Sequence, residues 1–550
     1  MGDEGEGGGG GAPALPARVD TALHGTGLVE AVVAAAAAAA GKSVLHADAE
    51  GRYGGAWATL SLDEAHEMHQ RCERAGGGGA YEAVRVASHE GGSGELRASR
   101  EYLIDACGPV ALLSAGAAVE ALVASGAHQY LDFKASSGTY MLSASARSLR
   151  RVPGGRADVF EDTALSVGEK RALMRLLTGA QKAAQAEPGA ALKFCGADSL
   201  ESATFADALA KNGVGGEVAD MVTYAVAGLD SPDVSAASAL EALVRYTQSV
   251  GRFGPGQGAF LVPRYGASEL PQAFCRAAAV HGAIYMLRTG VELVGSAEVD
   301  GAAATVIKLS SGESIECSAL VLDARSAHDV ANEGCLPLVD CTSGVARLAV
   351  VLSGSLVEAP AEGDASTVGG EADVIVAVVP PEFPGIGNKA AVRCLQVGSS
   401  TAQCPAGQCV LYLATEVDST DADCADALLR TTLEVMIAAN QSSAPPSALW
   451  SMFTFQRLLA RTDGTDVRGQ AGVGALVPGA APDASIGCES ALAAALSSWG
   501  RVASAVGMGA DGKGGDGTRE LFPADERGGD DSDEDDLALL SSAALGDDEL

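Results

Sequence analysis

Apolar residues change their spacing several times along this chain, and each change marks an element. From Val19 to Ala47 an apolar run, a glycine turn, an alanine-rich block and a second apolar run read as strand, turn, helix and strand. From Tyr102 to Val123, Leu103, Val110, Leu113, Val119 and Leu122 recur at helical spacing. "HQYLDFKASSGTYML", residues 128–142, reads as a pair of strands about a turn. Residues 155 to about 252 then adopt a predominantly helical period. There "LSVGEKRALMRLL" opens with Ser166 and Glu169, a capping box. After Phe260, "SELPQAFCRAAAVHGAIYML" predicts a helix running into a strand, and residues 292–324 alternate as a β-meander. Strands are expected to about residue 415, followed by a helix near Asp423–Asn440.

This pattern predicts an α/β fold with an FAD/NAD(P)-binding-like βαβ start and a β-meander, interrupted by a smaller helical domain. The expected α/β part is discontinuous, residues 18–154 and 253–508, and the helical part spans 155–252. Residues 1–17 are glycine-rich and acidic, and residues 509–550 form an acidic tail, with 12 acids against one Arg over 520–550. Both ends are expected to be disordered. Glycine-rich segments at 76–79 and in "SHEGGSGE" read as loops.

Composition narrows the function classes. A net charge of −34 argues against nucleic acid as a partner. No charge-free apolar run approaches the length of a spanning helix. The N-terminal stretch lacks the basic flank and apolar core of a signal peptide, and the terminal "DDEL" has no accompanying route to the lumen. The expected location is the cytosol. The 12 Cys include no CxxC pair and read as reduced thiols.

Several motifs invite chemistry. Gly25-x-Gly27 follows a strand and opens a helix, and Asp48, 21 residues beyond Gly27, stands where an acid meets a ribose. Glu30 occupies the third position of that fingerprint, where a small residue lets helix and strand pack closely. It also brings a carboxyl to the helix end that would bind a pyrophosphate. Gly25, Gly27, Glu30 and Asp48 therefore read as a vestigial dinucleotide motif, and no cofactor is expected. "GKS", Gly41–Ser43, leaves a helix and enters a strand, the reverse of a phosphate loop, with Ala36 at the first glycine position. "HEMH", His66–His69, has no evident third ligand, so no metal is expected. No nucleophile–base arrangement is marked, so no catalytic residue is assigned. Glu269 and Arg276 are seven apart and share a helix face, which suits either a surface ion pair or a binding role.

"VDTALHGTGLVEAVVA", "VLHADAEGRYGGAWATL" and "FLVPRYGASELPQAFCRAAAVHGAIYML" together resemble successive signature regions of the family of Rab GDP-dissociation inhibitors and Rab escort proteins. The resemblance runs with gaps from Val19 to Trp499. Trp57 after the paired glycines and "VPGGRADVFEDTALSVGEKRALMRLL", residues 152–177, are closer to the escort branch, with the inhibitor branch as the alternative. A flavin-dependent oxidoreductase, suggested by the βαβ start, is the second alternative, which Glu30 disfavours. The resemblance implies a non-catalytic accessory protein of Rab geranylgeranyltransferase. It would bind GDP-loaded Rab GTPases, present them to the transferase heterodimer, hold the geranylgeranyl lipid and meet membranes transiently on delivery. It implies a Rab-binding platform at Tyr53, Glu269, Arg276 and Met286, with Ile284 where inhibitors carry a threonine. Transferase and lipid contacts are expected on the helical part, with Leu173–Leu177 and Met221–Leu229 as candidate lipid-lining stretches.

Overall fold

The strand β1 (Arg18–His24) alternates before becoming fully buried at its end, and the helix α1 (Leu28–Ala39) is buried from Leu28 to Ala38. An alanine-rich helix can be enclosed in this way because its small side chains let neighbouring helices approach closely, while Ala also has the highest helix propensity. In this computed structural model, α1 packs between the helices Glu269–Val280 and Glu489–Ala505, and its core cluster holds Leu28, Val32, Phe274, Leu492 and Trp499. The strand β2 (Val44–Asp48) follows, so "GKS" does leave a helix and enter a strand. The structure describes residues 15–75, 81–89, 94–186, 189–254, 256–299, 302–323, 326, 338–357, 373–440, 444–461, 475–478, 481–508 and 521–522. Residues 1–14 of the expected N-terminal tail, most of the acidic tail and much of the two glycine-rich loops lie outside these residues; Leu15, by contrast, packs on the cluster around Val19 and Leu45.

The first sheet is parallel at its centre. Its order is Ile284–Leu287, β2, β1, Ser314–Leu322, Ala302–Leu309, Val291–Val299. Thr21 lies beside Val44 on one side and Ala319 on the other. The last three strands are the antiparallel meander expected from alternation. Ala475–Pro478 joins in parallel beside the second half of Ser314–Leu322. A second sheet of eight strands runs from Ala83–Ser88 to Ser148–Arg151 and carries the helix Ala422–Ala438 on one face.

Two expectations are corrected. Between Tyr102 and Val123 only Ala117–Ala124 is helical; the earlier part forms the short strands Ile104–Asp105 and Leu112–Leu113. Ile104, Val110, Ala111 and Leu112 are all buried, so the segment is enclosed on all sides and its apolar spacing does not describe one face. The strands Phe133–Ala135 and Gly138–Ser143 exist but do not pair with each other. The first pairs with Phe260–Pro263 and the second joins the eight-stranded sheet beside Ile375–Val379. The chain changes sheets at Ser136, whose hydroxyl accepts from the Phe260 backbone N–H at 3.2 Å.

Between residues 156 and 249 the described elements are helical, from Arg156–Glu161 to Ala236–Ser249, with a π-helical turn at Met221–Val226. Leu173, Leu176, Phe194, Phe205 and Leu243 form their core, which Met141 and Val378 extend from the second sheet and Ala391 from the residue before one of its strands. The capping box closes as expected: Glu169 N–H donates to Ser166 Oγ and Ser166 N–H to Glu169 Oε2. Arg393, on the second sheet, donates to the Gly228 carbonyl at 3.2 Å and pairs with Asp230 just beyond the π-helical turn. Among the described residues no helix is long and apolar enough to cross a membrane.

Candidate functional site

The crevice at the carboxyl ends of β1 and β2 is where an open α/β sheet holds a ligand. Gly25 takes φ +90, and a side chain there would press within 2.5 Å of Asp323. Glu30 turns back over the helix start: a Cβ on Gly27 would lie 2.5 Å from Glu30 Oε2. Glu30 is 3% exposed, and its Oε1 has no hydrogen-bond partner. Burial, then the charges of Asp323 and Asp48, push its carboxyl well above the usual range. Asp48 Oδ2 accepts from both Thr26 N–H (2.8 Å) and Thr26 Oγ1 (2.6 Å), and Oδ1 accepts from Glu50 N–H (2.8 Å). The acid expected to meet a ribose thus serves its own chain. What remains is a cavity of about 130 Å³. Small-molecule pockets span about 300–1,000 Å³, so these residues do not fit a dinucleotide. Glu30 is disfavoured as an anion, so it blocks the pyrophosphate position by volume rather than by the charge expected from its place in the motif, while Asp48 and Asp323 supply the acidic lining.

The expected platform residues lie on three connected segments. The strand Ile284–Leu287 carries Met286, half-buried, next to Tyr285. The ring of Tyr285 contacts His46 at 5.0 Å and Tyr53 edge-on at 5.9 Å. Burial lowers His46 to about 4 and raises Cys275, beside Tyr285, to about 12, so both are neutral near pH 7. Burial also raises Tyr53 above its ordinary value. Glu269 opens the helix Glu269–Val280, half-buried; burial, and then Asp132, raise its carboxyl above the usual range. The segment holding Tyr53 is tied to this helix through Thr59 and Asp105. Asp105 accepts from Thr59 Oγ1 (2.6 Å) and Ala267 N–H (2.8 Å), and Ser268 N–H donates to Thr59 Oγ1 (3.1 Å). Burial pushes Asp105 up to about 7.

Arg276 is exposed on the same helix as Glu269, but seven residues span about 10 Å of rise. The two form no ion pair among the described residues. Instead Arg276 lies over the ring of Tyr130, 4.4 Å from its centroid. His69 of "HEMH" bonds the Val84 carbonyl at 2.6 Å, and no group of three or more metal-capable side chains occurs among the described residues. No disulfide joins the described cysteines.

The helical segment presents features that periodicity did not reveal. Phe160 and Val167 are 66% and 64% exposed and line an open groove of about 910 Å³ with Met174. Lys170, Arg171, Arg175, Lys182 and Lys193 rim it. The two candidate lipid-lining stretches do meet: Leu173, Leu177, Met221, Val222 and Val226 surround a space of only about 20 Å³. A larger groove of about 560 Å³ adjoins it between the helices Val167–Ala184 and Ala236–Ser249, floored by Leu177, Ala180 and Leu243. An exposed Phe in a helical pattern reads as a core residue; only the clustering of cations around it in the sequence was a signal.

Residues 521–522 depart from the expected disordered tail. Leu521 and Phe522 are buried in the cluster that holds α1, and Phe522 stacks on Phe274 at 6.3 Å and 14°.

Residues 16–333, more than half of the chain, match the GDP dissociation inhibitor (GDI) family. Rab escort protein 1 from Arabidopsis thaliana is 31% identical over 461 residues, covering 74% of this chain and 78% of its own. Guanosine nucleotide diphosphate dissociation inhibitor 2 from the same plant is 29% identical over 308 residues, covering 54% and 62%. The crystal structure of Rab GDI from Plasmodium falciparum superposes with a TM-score of 0.66 at 18% identity, covering 88% of this chain and 98% of that one, which shows the same fold. Signature motifs, a filled nucleotide crevice and these matches converge: the chain belongs to the GDP dissociation inhibitor family.

Proposed function

We propose that this chain is a Rab escort protein: it binds GDP-loaded Rab GTPases, presents them to Rab geranylgeranyltransferase, keeps the lipidated product soluble and releases it at membranes. It performs no covalent step itself. The α/β part, residues 18–154 and 253–508, holds the Rab through Tyr53, Glu269, Arg276 and Met286. The helical part, residues 155–252, takes the lipid and the transferase. A geranylgeranyl chain has about 20 carbons, each stabilised by about 0.8 kcal/mol on burial. The apolar floor of the groove between Val167–Ala184 and Ala236–Ser249 suits it, and the adjoining π-helical turn is a natural place for the packing to open.

The observation that carries the escort reading is the groove at Phe160 and Val167. An inhibitor handles Rab that already bears its lipid, so it needs only a platform and a slot. Here a further apolar surface rimmed by five cations stands exposed on a chain of net charge −34. Such a surface fits a second protein with an acidic face. The longer alignment with an escort protein than with an inhibitor supports the same branch. The test is reconstituted transfer of geranylgeranyl from its diphosphate to an unmodified Rab by the transferase heterodimer, with and without this chain. Transfer that depends on the chain is the expected result. A chain that extracts lipidated Rab from membranes yet never sustains transfer is an inhibitor.

A further inference from the structure

Arg276 is exposed and finds no hydrogen-bond or ion-pair partner among the described residues, although the chain carries 71 Asp and Glu against 37 Lys and Arg. A free arginine carries about 2 kcal/mol of side-chain entropy, which a binding partner has to overcome. The structure restrains it with a ring. Tyr130 closes the short 3-10 turn Ala127–Tyr130, which starts after Gly126 in the left-handed region at φ +70. Ala127 and His128 are buried, Leu131 follows them inward, and Tyr130 itself packs half-buried against the core that holds the helix Glu269–Val280. The ring is therefore fixed on both sides in sequence, and Arg276 rests on its face at 4.4 Å.

We infer that Tyr130 is a positioning residue of the Rab-binding platform: it holds the Arg276 guanidinium over its ring in the free protein, so that the N–H donors are oriented before the partner arrives. This rests on the functional reading above. A cation on an aromatic face at an exposed site is worth about 0.5–1 kcal/mol, which converts to a two- to five-fold change in affinity. Phenylalanine offers the same face, so the hydroxyl is dispensable, whereas leucine fills a comparable space without a quadrupole.

Calorimetric titration of the full chain with GDP-loaded Rab tests this. Tyr130→Phe should bind as the unaltered protein does. Tyr130→Leu should bind about three-fold more weakly, with an unchanged melting temperature. In the Arg276→Ala background, Tyr130→Leu should have no further effect, because nothing remains to be positioned. The inference is overturned if Tyr130→Leu leaves affinity unchanged, if Tyr130→Phe weakens binding as much as leucine does, or if the loss persists without Arg276. The Tyr130→Phe arm and the double variant keep the test decisive even if Tyr130→Leu is less stable. If the unaltered chain itself fails to bind GDP-loaded Rab, the functional reading falls and takes this inference with it, a result distinct from all the others.

Discussion

The crevice under α1 and the grooves on the helical segment are opposites. The first holds about 130 Å³, is lined by Glu30, Asp48 and Asp323, and turns its polar groups inward on one another. The second pair holds about 910 and 560 Å³, has apolar floors, and turns Lys, Arg and Gln outward at the rims. One region kept the framework of a nucleotide site and filled it with its own side chains. The other left its apolar surface open. Under the proposed function, fold and recognition separate here: the βαβ unit supplies a rigid base, and the surfaces beside it take the partners.

Five substitutions would break or sharpen that contrast. The largest effect is expected on the α/β side, from Phe522→Ala. Removing the ring stacked on Phe274 should cost about 3 kcal/mol, read by urea unfolding. A chain stopped after residue 522 should match the full-length protein, whereas one stopped after 520 should be weakened at least as much as the point variant. Equal stability of all three would mean that Leu521 and Phe522 contribute nothing.

Next is Phe160→Glu, which places an acid in the groove proposed for the transferase. It should lower Rab lipidation about 100-fold, on the order of 2.7 kcal/mol, while Rab·GDP affinity stays constant. Loss of both activities would join regions that the contrast keeps apart. Tyr53→Ala and Arg276→Ala should each do the reverse, weakening Rab·GDP binding about 30-fold, or about 2 kcal/mol, with circular dichroism unchanged.

The last change is read as a pH dependence in the crevice itself. Burial raises Glu30, so the fold favours its neutral form. That contribution is fully present below its ordinary value of 4.5 and is lost as pH rises toward its folded value. Glu30→Gln stays neutral throughout, so it should gain stability relative to the unaltered chain as pH rises from about 5 to about 8. A difference that stays flat with pH would show that Glu30 titrates as an exposed carboxyl does. Neither protein should gain thermal stability from added FAD.

Much of this was legible in the sequence where one segment sufficed to specify its element. The β1–α1–β2 unit, the Ser166 cap and the helix Glu269–Val280 follow from spacing and capping residues. The segment 102–123 did not, because residues buried on all sides carry no face to read. Long-range partners left no local mark either: nothing in "ALVP" announces its parallel pairing with residues 319–322. Motif resemblance named Tyr53, Glu269, Arg276 and Met286, yet the stacking of Arg276 on Tyr130 joins residues 146 positions apart and belongs to the fold alone. Phe160 was hidden for the opposite reason, since an apolar residue at helical spacing predicts burial and here it is exposed.

The order of strands in the first sheet has a consequence for how the chain is made. β1 is flanked by residues 314–322, and those in turn by residues 475–478, whereas the helical segment finds most of its partners between residues 156 and 249. Translation at about 5–20 residues per second puts at least about ten seconds between emergence of the helical segment and the last strand of the sheet. For that interval α1, buried from Leu28 to Ala38 in the finished molecule, has no complete shelter. Residues 28–39 emerge well before their last partners and are among the last to be buried, so the nascent chain exposes them to chaperones. Protease should cut α1 in ribosome-stalled chains ending near residue 300 and spare it only once residue 505, the end of its second covering helix, has cleared the exit tunnel.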